Sequence, residues 1–166
     1  NPLAVSPFSY RIAYMTWYEK PPPPYQNTSI RLYLLEDMMG SNQHLIREIE
    51  GLGFKIVWHP DGQQLLCGVF ITGGSAIQLV SAKMNKRIYL SNREIHSLQL
   101  TPDGKQILFV EYSNPTVHSN ICMINIDGNN KRNILNDLKR PSPKISPDGQ
   151  KIAFILPDND INRLAI

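Results

Sequence analysis

The residues of this 166-residue chain that could do chemistry are four histidines, two cysteines and scattered serines and carboxylates, and their spacing speaks against each of the usual reactions. His44, His59, His96 and His118 lie far apart in sequence, without the close pairing of a zinc site, and no Cys-x-x-Cys occurs. Each histidine therefore reads as structural. Cys67 and Cys122 sit inside apolar runs, where a thiol acts as a small hydrophobe. A serine hydrolase needs its nucleophile on a Gly-x-Ser-x-Gly elbow; Gly73-Gly74-Ser75-Ala76 instead reads as a tight connection between strands. Asp127-Gly128-Asn129 lacks the alternating carboxylates and closing glutamate of a calcium loop, so a hairpin turn is expected there. No phosphate-cradling glycine loop is present. The sequence thus predicts no catalytic residue, no metal site and no cofactor.

What positions these residues is a repeat. His59-Pro60-Asp61-Gly62 returns as Thr101-Pro102-Asp103-Gly104 and Ser146-Pro147-Asp148-Gly149, and a degenerate copy, Ser6-Pro7-Phe8-Ser9, stands near the start. The prolines at 7, 60, 102 and 147 are 53, 42 and 45 residues apart, close to the roughly 40 to 45 residues of a four-stranded propeller blade. Proline presets φ at the second position of a tight turn, aspartate suits the third, and glycine accepts a positive φ. Short strands are expected before each turn (55–58, 97–100, 144–146), with a longer aliphatic-aromatic strand after it. Third strands fall at 30–35, 77–81 and 121–126, and fourth strands at 44–48, 87–90 and 132–135. A helix over 35–49 is the local alternative, but Gly40-Ser41-Asn42 interrupts it. A two-sheet sandwich would have no reason to repeat one turn at a near-constant stride.

The Pro-Asp-Gly turns, the strands that follow them, and the run Ile121-Cys122-Met123-Ile124-Asn125-Ile126-Asp127-Gly128-Asn129-Asn130 with Arg132-Asn133-Ile134-Leu135 resemble TolB-like propeller repeats. These resemble WD-repeat blades but lack the Gly-His and Trp-Asp signatures, as this chain does. The resemblance implies an all-β partial propeller of about three and a half four-stranded antiparallel blades, over 3–48, 54–90, 95–135 and an incomplete 142–166. It also implies a non-catalytic scaffold that binds proteins or peptides as a complex subunit. Family members are periplasmic transport-associated proteins and the propellers beside serine-peptidase domains, so an extracytoplasmic location follows from the resemblance alone. A propeller that positions or gates substrate for a peptidase domain is the alternative function.

In such a meander successive turns alternate between two faces. The Pro-Asp-Gly turns and the Asp127 turn fall on one. The loop 17–29, the loop 113–119 and the blade junctions 91–94 and 136–141 fall on the other, which carries Trp17, Tyr18, Lys20, Tyr25, Arg93, His118, Lys139 and Arg140. Aromatic anchors mixed with cations suit recognition of a protein or extended peptide. Pro21 to Pro24 favour a stiff polyproline II segment, and Pro22-Pro23-Pro24-Tyr25 matches the short pattern that WW modules read. Asn27-Thr28-Ser29 fits a glycosylation acceptor in a eukaryotic secretory setting.

Composition bounds the partners. A hydrophobic content of 42% supports a packed core, and no apolar run is long enough to span a membrane as a helix. A net charge of +3 on 19% charged residues is too dilute for a phosphate-tracking surface, so nucleic acid is not expected as a partner. Three and a half blades cannot close a ring. The open edge calls for cover by the rest of a longer parent chain, a second copy or another subunit, and the start at Asn1 without methionine fits a processing site or an internal boundary.

Overall fold

The computed structural model describes residues 2–7, 11–19, 28–36, 42–112, 118–139, 141–158 and 161–165. Every regular element among them is a strand, and within 35–49 the described residues up to Leu35 and from Gln43 onward are in strands rather than in the alternative helix. The chain divides into two compact units, residues 1–90 and 91–166.

The first unit holds two antiparallel meanders. One runs β1 (Leu3–Val5), β2 (Ile12–Glu19), β3 (Thr28–Leu35) and β4 (Gln43–Glu50); the other runs β5 (Leu52–Trp58), β6 (Leu65–Ile71), β7 (Gly74–Val80) and β8 (Asn85–Ser91). Their strands pair in sequence order. Strand alternation puts Ala13, Met15, Ile30 and Leu32 on one face of the first sheet, where they share a buried core with Ile56, Leu65, Cys67, Val69, Ala76 and Val80 of the second. Trp58 closes this core and donates its indole N–H to the Ala4 carbonyl at 3.1 Å, while the Arg11 guanidinium lies over its ring at 5.5 Å and reaches the Gly62 carbonyl at 2.8 Å.

In the second unit β9 (Ile95–Leu100), β10 (Gln106–Tyr112), β11 (His118–Asn125) and β12 (Arg132–Lys139) form a four-stranded sheet. β13 (Lys144–Ile145), β14 (Ile152–Asp158) and β15 (Ile161–Ala165) form a three-stranded one. Leu108, Val110, Ile121 and Met123 pack against Leu138, Ile145, Ile152 and Phe154. The Gln99 carboxamide fastens the two sheets: it donates to the Pro143 carbonyl at 2.5 Å and accepts the Ile145 N–H at 3.2 Å.

The repeated tetrapeptides make one turn three times. Gly62, Gly104 and Gly149 donate to the carbonyls of His59, Thr101 and Ser146 at 2.9, 2.8 and 2.8 Å, with φ of 67°, 72° and 74°, the left-handed region that glycine enters without strain. A second bond, from the first turn residue to the carbonyl five residues on, closes all four loops at 2.9 Å, from Ser6 to Arg11, His59 to Gln64, Thr101 to Gln106 and Ser146 to Lys151. The degenerate first copy therefore keeps this closure, although residues 8–10 lie outside the described set.

The strands reach further than the composition of their ends predicts. β2 continues to Glu19, pairing Trp17 with Ile30 and Tyr18 with Ser29, so these two aromatics belong to a strand and not to the expected loop. β12 continues to Lys139 and β11 begins at His118, so His118 and Lys139 are a cross-strand pair, again strand rather than loop. β-branched and aromatic residues favour the longer β2, and register shifts between Ser119 and Cys122 let β12 keep pairing through its polar end.

Candidate functional site

At the end of the second unit's four-stranded sheet remote from the Pro-Asp-Gly turn, the topology brings His118 and Lys139 together as a cross-strand pair on β11 and β12, while Arg93 stands at the opposite edge of the same sheet. Arg93 precedes β9, and its backbone N–H is held by the Ser91 hydroxyl at 3.0 Å, leaving the guanidinium exposed. His118 Nδ1 lies 2.5 Å from the Asp137 carboxylate. Asp137 itself adopts φ of 59° and donates its N–H to the Asn120 side-chain oxygen at 3.1 Å. The chemistry offered here is recognition by charge and hydrogen bond.

Several residues that the sequence reading passed over support this end. Glu111, 3% exposed, accepts the Ser91 hydroxyl at 2.5 Å and the Lys131 ammonium at 2.8 Å. Its only sequence signal is a carboxylate inside the apolar run Gln106–Tyr112, since a charge there demands a buried partner. His96 meets Tyr112 edge-on at 4.1 Å and approaches Glu94 at 3.7 Å; burial, opposed by Glu94, holds the imidazole below its ordinary pKa. It is thus poised neutral and structural.

The first unit presents Trp17, 60% exposed, and Tyr18. Tyr18 is not free to reach outward: its hydroxyl donates to Glu48 at 2.7 Å and the Arg31 guanidinium stacks on its ring at 4.0 Å while donating to Glu48 at 3.0 Å. The carboxylate that accepts its proton holds the phenol above its usual range. Lys20, Tyr25 and Arg140, with the proline run, lie outside the described residues.

Both thiols are buried and reduced. Burial pushes Cys67 above its normal range and Cys122 up to about 11, so neither is a thiolate nucleophile near neutral pH. Gly73 occupies a two-residue turn at φ of 84° with Ile71 opposite Gly74, which places Ser75 inside a strand. Asp127 accepts the Asn129 N–H at 2.8 Å as a hairpin turn. Among the described residues no group of three or more histidine, cysteine or acidic side chains could hold a metal ion, and no helix is long and apolar enough to cross a membrane.

With this geometry in hand, comparison with solved structures decides the architecture. TolB from Acinetobacter baumannii superposes over 98% of this chain at 20% identity with a TM-score of 0.69. The fold is a TolB-like β-propeller fold. The acylaminoacyl peptidase of Pyrococcus horikoshii matches over 98% at 16% identity and TM-score 0.67. The β-propeller domain of the Trilobed protease from Pyrococcus furiosus matches over 96% at 15% identity and TM-score 0.64. The chain spans 40%, 29% and 50% of these three structures, so it corresponds to part of a TolB-like propeller, about three and a half blades. No protein-family model matches the sequence, and no curated protein sequence does.

Proposed function

We propose that this TolB-like propeller segment is a non-catalytic scaffold that binds a protein or extended peptide through the strand ends opposite the Pro-Asp-Gly turns. The observation that carries the reading is the exposed Trp17 indole, an aromatic that a merely structural role would bury. In the other unit His118 and Lys139 pair at the end of their sheet remote from the Pro-Asp-Gly turn, and Arg93 lies at that same end on the opposite edge, supplying cations for an acidic or carbonyl-rich partner. Lys20, Tyr25 and Arg140, which complete the set expected from the sequence, lie outside the described residues. An extracytoplasmic location goes with the reading, on the family resemblance.

The test is partner capture with a photo-crosslinker introduced beside position 17. Replacing Trp17 and Lys139 together by alanine is expected to lower crosslinked yield by roughly tenfold or more, the scale of losing one aromatic anchor. Unchanged capture by the double variant overturns the proposal. The likeness to a peptidase-associated propeller favours a second reading, that of a propeller which positions substrate for a peptidase domain. A serine-peptidase segment encoded in the same polypeptide would carry that reading.

A further inference from the structure

The first unit contains a cleft of about 420 Å³ between β4 of one sheet and β7 and β8 of the other, lined by Ile49, Ile71, Thr72, Gln78, Asn85 and Arg87 together with Glu48 and Glu50. Gln78 makes it unusual. It faces Cys67 across β6 and β7 and shares the face of Ala76 and Val80, so alternation directs its side chain toward the apolar core between the two sheets. The residue is 5% exposed and lines the cleft, and its carboxamide atoms are not among the buried polar atoms left without a partner, so the amide tip is open to the cleft. Its two donors and one acceptor oxygen are thus offered to the cleft.

The other walls are equally selective. Ser29 lies opposite Glu50 and Arg31 opposite Glu48, on the face where Glu48 joins Arg31 and Tyr18. Alternation therefore turns both carboxylates away, and what β4 lends the cleft is the main-chain edge of the last strand in its sheet. Asn85 and Arg87, two apart on β8, share a face, and neither has a hydrogen-bond or ion-pair partner among the described residues. The cleft therefore offers a cation, two carboxamides, an open strand edge and the apolar Ile71.

We propose that this cleft binds the C-terminal end of a peptide. The terminal carboxylate takes two N–H donors of Arg87 and the amide of Asn85. The last peptide unit exchanges one N–H and one carbonyl with the Gln78 carboxamide, and the chain lies along the β4 edge as an added strand. A volume near the lower end of the roughly 300 to 1,000 Å³ range of small-ligand sites holds two or three residues. A metal ion would find no facing carboxylate, and an apolar ligand would leave the carboxamides unsatisfied. The site uses none of the residues proposed above for partner binding.

The test is a titration of the 166-residue chain with N-acetyl-Ala-Ala and with its C-terminal amide, followed by nitrogen-15 NMR. Saturable shifts at the Gln78 side-chain amide are expected with the free acid, and about tenfold weaker binding for the amide, which loses the charged contact. Arg87→Gln is expected to erase that preference, and Gln78→Leu to weaken both peptides. Trp17→Ala is expected to leave the titration unchanged. Arg87 is exposed, so its variant stays informative if Gln78→Leu fails to fold. Absence of saturable shifts, equal binding of acid and amide, or a preference that survives Arg87→Gln overturns the proposal.

Discussion

Asp61, Asp103 and Asp148 hold the turns that repeat along the chain, and each does so as an anion. The Thr101 hydroxyl donates to Asp103 at 2.6 Å and the Lys105 N–H at 3.0 Å; at Asp148 the Ser146 hydroxyl donates at 2.5 Å and the Gln150 N–H at 3.0 Å. In the histidine-led copy the hydroxyl is replaced by an imidazole, His59 Nδ1 lying 3.1 Å from Asp61, while Gln63 and Gln64 supply the N–H donors. Donation from the neighbouring hydroxyl, then from the backbone, holds Asp103 and Asp148 below the ordinary value of 3.8. Burial alone would raise Asp61, but its backbone and side-chain donors outweigh it and lower the carboxyl too. A carboxylate depressed in the folded state stabilises the fold above its unfolded pKa, and that contribution disappears as pH falls from 3.8 through the lower folded value. Unfolding midpoints in urea, followed downward from neutral pH, are therefore expected to fall steeply below about pH 4, the usual carboxylate range. The double variant Asp103→Asn with Asp148→Asn keeps an acceptor oxygen but cannot titrate, so its acid limb is expected to be flatter. Parallel wild-type and variant curves would show that the turn anions are not the groups responsible.

At the scale of the strand, side-chain volume decides what fits between sheets. Gly68 stands in the middle of β6, where an added Cβ would come within 2.4 Å of the Phe54 ring, and Phe54 packs on Phe70 at a centroid separation of 4.7 Å. The glycine is required by that close approach rather than by backbone conformation. Gly68→Ala is expected to cost about 1 to 3 kcal/mol in chemical denaturation, as overpacking does. Replacing Phe54 by leucine in the same background is expected to recover part of the loss, and failure of that rescue would point away from a steric cause. The contrast with the turns shows what the sequence made legible. A tetrapeptide that recurs at 60, 102 and 147 announces turns, strand order and sheet number, because its chemistry is local. Gly68 inside Leu65–Ile71 carries no such sign, since its meaning depends on a ring from another strand. The placement of Trp17 and Tyr18 failed for the same reason: β2 runs on because β3 offers eight partners in register, a property of the pair. Arg93 in its junction followed from strand counting alone, whereas the Glu111 and Lys131 ion pair needed coordinates to join residues 20 apart.

At the scale of the molecule, stacked sheets leave a consequence at the first one. In the first unit the outer face of that sheet bears a row of apolar side chains, one from each strand: Leu3 opposite Tyr14, Tyr14 opposite Tyr33, Tyr33 opposite Leu45. The two tyrosine rings stack at 5.3 Å, and Leu3, Val5 and Leu45 are 62%, 63% and 49% exposed. A continuous apolar row on an exposed sheet face is what isolated soluble domains avoid, because it drives association. The net charge of +3 on 166 residues supplies little repulsion to oppose it. Sedimentation velocity on the 166-residue chain is therefore expected to show a mass that rises with protein concentration. Leu3→Lys with Val5→Lys places two cations on the row; both positions are exposed, so folding stability is expected to change by less than about 0.5 kcal/mol. The association is expected to vanish in that variant, while the same two charges placed on the exposed strand β12 leave it intact. A wild-type chain that sediments as a monomer across the range would mean that the tyrosine stack already shields the row well enough from water.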